Sequence, residues 1–156
     1  MENQNLKKQE RSFLKLSRIV LTIIFVIITI VNIVPSVIGS ASWWVLAIQL
    51  TATWFIYLLI FIYQGAAFRH FSYTMNDFGL YINRGVFWRR KIIVPRNRVQ
   101  HTDVVQGPLE RRYELAELIV HTAGTRNASV KLPGILHTDA EKLRESLSFD
   151  ESNDAV

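Results

Sequence analysis

The chain contains no cysteine. That removes disulfides, thiolate metal sites and cysteine nucleophiles together. It also lacks a Ser-His-Asp signature, a glycine-rich phosphate loop and a paired-carboxylate motif. No catalytic residue, cofactor or metal is therefore expected, and the chain does not read as an enzyme. Charge is missing over a long stretch as well: no Asp, Glu, Lys or Arg lies between Arg18 and Arg69.

That uncharged stretch holds two apolar runs. The first covers residues 19–34 and extends through Pro35 to about Gly39, and the second covers residues 43–63. At ~1.5 Å per residue the second reaches about 30 Å as a helix, the thickness of a bilayer's hydrocarbon core. Trp43, Trp44 and Tyr63 mark its ends, where amphipathic rings favour the membrane interface. Two transmembrane helices, about 19–39 and 43–63, are predicted, joined as an antiparallel hairpin by a short connector. Gln49 is placed to hydrogen-bond across to the first span or to another copy. A cleaved signal peptide ending near Gly39-Ser40-Ala41 is the rival reading. It is disfavoured because the run is too long for an h-region and a second span follows at once.

The formal net charge is +5, and its distribution carries the information. Lys7, Lys8, Arg11, Lys15 and Arg18 precede the first run against only Glu2 and Glu10; Arg69, Arg84, Arg89, Arg90 and Lys91 follow the second. Basic flanks stay on the cytoplasmic side. A multi-pass protein of the cell (inner) membrane with both termini cytoplasmic is expected. Residues 1–18 read as a basic flank continuing helically into the first span, with Leu6, Phe13 and Leu16 on one face. The membrane flanks account for much of the positive excess and no stacking-aromatic motif accompanies it, so nucleic-acid binding is rejected.

Beyond a short exit at residues 64–70 the period changes from helical to alternating. Residues 71–75, 80–82, 92–94, 99–106, 115–122 and 128–132 read as short strands, with 86–88 either part of the third or a strand of its own. Turn chemistry at Asn76-Asp77, Gly79, Arg84-Gly85, Pro95, Gly107-Pro108, Gly124 and Pro133-Gly134 separates them. A helix follows, with capping-box spacing at Thr138 and Glu141 and one apolar face of Ala140, Leu143 and Leu147. Residues 148–156 read as a disordered acidic tail. The expected architecture is a membrane helical hairpin plus a β-rich barrel or sandwich over 69–147, closed by a C-terminal helix.

Short strands closed by one amphipathic helix is the outline of a pleckstrin-homology (PH) fold. A more particular likeness lies in an ordered series. It runs Tyr73-Thr74-Met75, Gly79-Leu80, Arg84-Gly85-Val86, Ile93-Val94-Pro95, Arg98-Val99-Gln100, Gln106-Gly107-Pro108-Leu109, Arg111, Leu115-Ala116, Thr122-Ala123-Gly124 and Ala140-Glu141-Lys142-Leu143-Arg144. With the hairpin before it, this series resembles the bacterial YdbS-like PH-like, or "membrane-flanked domain", family. The resemblance implies an integral membrane protein with a cytoplasmic PH-like domain. It further implies a non-enzymatic role in assembly with a related membrane protein carrying repeated domains of the same kind, in envelope maintenance or stress resistance. Where relatives often have Phe-Gly, this chain has Tyr113-Glu114, which leaves the backbone shape of that loop open.

Three groups of residues are candidates for a site. Trp88, Arg89, Arg90 and Lys91, continuing to Arg96 and Arg98, suit anionic lipid headgroups, because guanidinium binds phosphate bidentately and each basic residue near an anionic leaflet is worth ~1 kcal/mol. Gln106, Gly107, Pro108, Leu109, Arg111 and Arg112 form a candidate partner-binding loop, for a partner protein or for self-association. His101 and Asp103 share one side of a strand and His121 lies on another. A metal site there would require those strands to be neighbours, and motif spacing is lacking, so these read as surface histidines.

Overall fold

The computed structural model describes residues 7–39, 42–123 and 129–148. The chain forms two compact units, Leu14–Ala66 and a second made of Met1–Phe13 with Ala67–Val156.

In the helical unit α1 spans Arg11–Ile38 and α2 spans Trp43–His70. Both are long and apolar enough to cross a membrane. Ile23, Ile27, Val31, Phe55 and Ile62 are among many large apolar side chains exposed along them, a surface that lipid solvates and water does not. Polar side chains in the spans bond a carbonyl one turn back: Thr22 to Arg18, Thr29 to Phe25, Asn32 to Ile28, Ser36 to Asn32, Thr51 to Ala47 and Thr53 to Gln49. Such bonding is how a hydroxyl or amide is tolerated where water is absent.

The helices pair antiparallel. The Arg18 guanidinium lies 4.1 Å above the Phe61 ring. Thr22 Oγ1 and Tyr57 Oη are 3.1 Å apart, and the Phe25 and Tyr57 rings meet edge-on at 5.4 Å. Gln49 reaches the first span only at the edge of hydrogen-bond range, 3.5 Å from Ser36 Oγ. Residues 64–70, read from sequence as an exit segment, are helical and continue α2.

The β unit contains β1 (Ser72–Asn76), β2 (Gly79–Arg84), β3 (Arg90–Pro95), a 3-10 turn at Arg96–Arg98, β4 (Val99–Val105), α3 (Pro108–Arg112), β5 (Leu115–Thr122), β6 (Ser129–Leu136) and α4 (His137–Ser148). They make two antiparallel three-stranded sheets, ordered β1-β2-β3 and β4-β5-β6. Alternate residues of both sheets point into one core: Tyr73, Leu80, Ile82 and Val94 from the first, Leu118, Val120, Val130, Leu132 and Ile135 from the second. Ala140, Leu143 and Leu147, the apolar stripe of α4, complete it. The result is a PH-like sandwich closed by its C-terminal helix.

Several local expectations are corrected. Residues 86–88 form a turn rather than a strand. β6 runs through Pro133-Gly134 instead of ending there. β6 is an edge strand, where a missing N–H is tolerated, and a register shift between Ala116 and Leu118 absorbs the irregularity. α4 begins at His137, so Thr138 lies inside the helix rather than capping it. Gly107-Pro108 opens a short helix, with proline at its favoured first position. The N-terminal flank is not simply solvated: Lys7 pairs with Tyr73 of β1, and Glu10 N–H donates to the Gly134 carbonyl of β6. Leu6, Gly124, Ala128 and residues 149–156 lie outside the described residues.

Candidate functional site

Strand register fixes the position of the basic, aromatic segment. Ser72 opposes Asn83, and Asn83 opposes Lys91. The β2–β3 loop therefore sits at the end of its sheet where the chain enters from α2. Gly85 makes the loop possible: its φ is 109°, and a Cβ there would lie 2.0 Å from the Trp88 carbonyl oxygen. The sharp turn throws Phe87 and Trp88 outward, 79% and 83% exposed. Arg84, Arg89, Arg90 and Lys91 surround them, all exposed. Arg84 stands directly opposite Arg90. Like charges opposed across a hairpin weaken it, so folding does not explain this concentration of charge.

The six residues singled out from sequence do not form one patch. Trp88, Arg89, Arg90 and Lys91 lie at the loop. Arg96 and Arg98 sit beyond the other end of β3, about 17 Å away at ~3.3 Å per residue. There Arg96 N–H donates to the Phe78 carbonyl of the β1–β2 turn. Phe87 and Arg84 belong to the loop patch and were missed. The signal was present, since Phe87-Trp88-Arg89-Arg90-Lys91 does not alternate and so cannot bury one face of a strand.

The second candidate group is brought together. The Gly107 N–H donates to Glu110 Oε2 at 2.8 Å, and Gln106 Nε2 donates to the Leu115 carbonyl at 2.7 Å. These bonds hold α3 so that Pro108, Leu109, Arg111 and Arg112 are exposed. A cleft of about 360 Å³ lies beside it, lined by Gln106, Arg111, Glu114, Leu136, His137 and Thr138. His137 Nδ1 is buried and has no hydrogen-bond partner.

The third group is also assembled. β4 and β5 are neighbours, and their register places His101 opposite His121. The two imidazoles stack with centroids 4.1 Å apart and planes 12° from parallel. His121 Nε2 lies 3.2 Å from Asp103 Oδ2. Sequence gave the alternation along each strand but not which strands pair.

Comparison with known proteins agrees with this architecture. The chain is similar to the UPF0699 transmembrane protein YdbS of Bacillus subtilis (strain 168), at 29% identity over 136 residues, covering 86% of this chain and 83% of that one. No solved structure matches. The bacterial PH domain family matches residues 12–150, spans included, and this chain, a transmembrane protein with a PH-like domain, belongs to that family.

Proposed function

We propose that this protein is a non-catalytic interaction module of the cell membrane. Its two spans hold the PH-like domain at the cytoplasmic leaflet, and the β2–β3 loop docks onto anionic lipid. The observation that carries this reading is the pair Phe87 and Trp88, exposed inside a group of four basic residues at the sheet end nearest, along the chain, to α2. Aromatic rings suit the interface while arginines meet phosphate. Four basic residues would contribute roughly 4 kcal/mol near an anionic leaflet. No acidic residue lies anywhere in residues 79–94 to oppose this. The basic flanks support a multi-pass topology with both termini cytoplasmic. The Lys7–Tyr73 pairing supports it too, since the N-terminal segment and the β unit must then share one side.

The absence of native cysteine makes the test clean. A Phe87→Cys variant carrying an environment-sensitive fluorophore is placed in nanodiscs containing nitroxide-labelled lipid. Quenching that increases with the anionic lipid fraction, and falls when Arg89, Arg90 and Lys91 are changed to Ala, is the expected result. A probe that stays in water at every composition overturns the reading.

The α3 surface favours a second role. Leu109 is half exposed beside Arg111 and Arg112, next to the cleft. An exposed apolar residue followed by two exposed arginines on a short helix suits a protein partner, either a related membrane protein or another copy. Because the spans confine both partners to one plane, weak contacts there would gain from high effective concentration. Crosslinking in intact membranes through a Leu109→Cys variant tests it: capture of one defined partner, or of the same chain, supports the role, and no captured species removes it.

A further inference from the structure

We propose that His101, Asp103 and His121 form a binding site for a borderline divalent transition metal, with Zn²⁺ as the cation the ligands suit. One imidazole or carboxylate atom from each residue lies within 4.8 Å of the other two. Zinc takes nitrogen at ~2.0–2.1 Å and carboxylate oxygen at ~2.0–2.2 Å, so tetrahedral ligand atoms stand about 3.3 Å apart. The His121–Asp103 pair, at 3.2 Å, already has that separation. His101, exposed and stacked on His121, must swing out of that stack to complete the set.

The backbone supplies the platform. β5 is the central strand of its sheet, and the β4–β5 register fixes His101 opposite His121. The one-residue irregularity between Val99 and His101 falls directly before the first ligand. Bulges of this kind re-aim the side chains that follow them. Neutral imidazole suits zinc, copper and nickel, whereas magnesium and calcium require all-oxygen shells. Three protein ligands leave at least one position for water or for a ligand from a docking partner. Bound metal would clamp β4 to β5 and stabilise the folded domain by mass action.

The test is calorimetric titration of the full chain, purified in detergent in a non-chelating buffer, with ZnCl₂ and separately with MgCl₂. The expected result is saturable one-to-one zinc binding, no magnesium binding, and a zinc-dependent rise in melting temperature. Loss of a mere outer-shell partner costs about 10–100-fold in metal affinity, so His121→Ala should weaken zinc by more than about 100-fold. His101→Ala and Asp103→Asn change exposed side chains and should weaken it without unfolding the domain. His70→Ala, an exposed histidine elsewhere, should bind as the parent does. Absence of saturable zinc binding, equal binding of magnesium, or unchanged affinity in the His101→Ala and Asp103→Asn variants overturns the proposal.

Discussion

Lys7 and Tyr73 exchange both backbone hydrogen bonds, each 2.9 Å long. Tyr73 lies on β1, an edge strand, and its side chain is buried in the core. Three residues on, Glu10 bonds to Gly134 of β6, the edge of the other sheet, and Gln9 Nε2 donates to the Pro133 carbonyl at 2.8 Å. The N-terminal segment thus bridges the open side of the sandwich, satisfying edge groups that would otherwise invite pairing with other chains.

The bridge ends on a close contact that can be tested. Gly134 has φ 72°, and a Cβ there would lie 2.4 Å from Phe13 Cγ. Gly134→Ala should cost ~1 kcal/mol from the left-handed backbone alone and about 1–2 kcal/mol more from displacing the ring. In a Phe13→Ala background only the first cost should remain. Denaturant midpoints of the four chains form a double-mutant cycle. Equal costs in both backgrounds would mean the ring is not seated on Gly134.

Tyr73 also sets an alkaline limit on stability. Burial, followed by the negative charges of Asp139 and Glu10, pushes its phenol from 10.0 to about 12. The folded state therefore holds the proton more tightly than the unfolded chain does. The resulting stability is complete below pH 10 and is lost as pH rises towards 12. Tyr73→Phe should remove that component, so the stability difference between parent and variant should be constant below pH 10 and shift against the parent above it. Asp139→Asn should move the phenol part of the way back towards its ordinary value, read from tyrosinate absorbance.

Which parts of this were legible in the sequence follows from what each element depends on. The spans are visible because lipid demands long uncharged runs. The core strands are visible because alternation records a buried face: of the large apolar positions in 71–75, Phe71 and Tyr73 belong to the core and Met75 packs against it. α4 announced itself through Ala140, Leu143 and Leu147. The N-terminal bridge left no such mark, since one pair of backbone bonds to a residue 66 positions away has no side-chain pattern. Pro133-Gly134 misled for a related reason. Whether proline ends a strand depends on its neighbours, and at an edge with an opposing register shift it does not. The site residues divide in the same way: His101 and Asp103 were seen to share a face, while their meeting with His121 required the strand order.

The loop after α3 offers a stabilising change. Glu114 has φ 55°, the one positive value outside glycine among the described residues. A non-glycine residue there costs roughly 1–2 kcal/mol, while glycine costs somewhat more entropy when it is ordered. The Glu114 carbonyl accepts from His137 N–H at 2.9 Å, a bond that a side-chain change leaves in place. Glu114→Gly should therefore raise stability by about 0.5–1 kcal/mol, seen as a higher melting temperature. Glu114→Ala keeps the strained backbone and should not. A lower melting temperature for the glycine variant would show that the Glu114 side chain contributes more than its backbone costs.

Within the helical unit, Tyr57 separates two kinds of cohesion. Its hydroxyl meets Thr22 Oγ1, and its ring contacts Phe25, Trp54 and Phe61 at centroid distances of 5.4, 5.3 and 5.9 Å. Hydrogen bonds between spans average only ~0.6 kcal/mol, because the separated helices find other partners in the membrane. Aromatic pairs contribute ~0.5–1.5 kcal/mol each, although Trp54 and Phe61 share the helix of Tyr57 and only Phe25 crosses to α1. Tyr57→Phe should thus cost about 0.6 kcal/mol in a denaturing-detergent titration, and Tyr57→Ala about 1–3 kcal/mol. Thr22→Val removes that same bond and also the Thr22 bond to the Arg18 carbonyl, so it should cost at least as much as Tyr57→Phe, and the two together should cost little more than Thr22→Val alone. Additive losses would show that Thr22 and Tyr57 act separately and that the hairpin is held elsewhere.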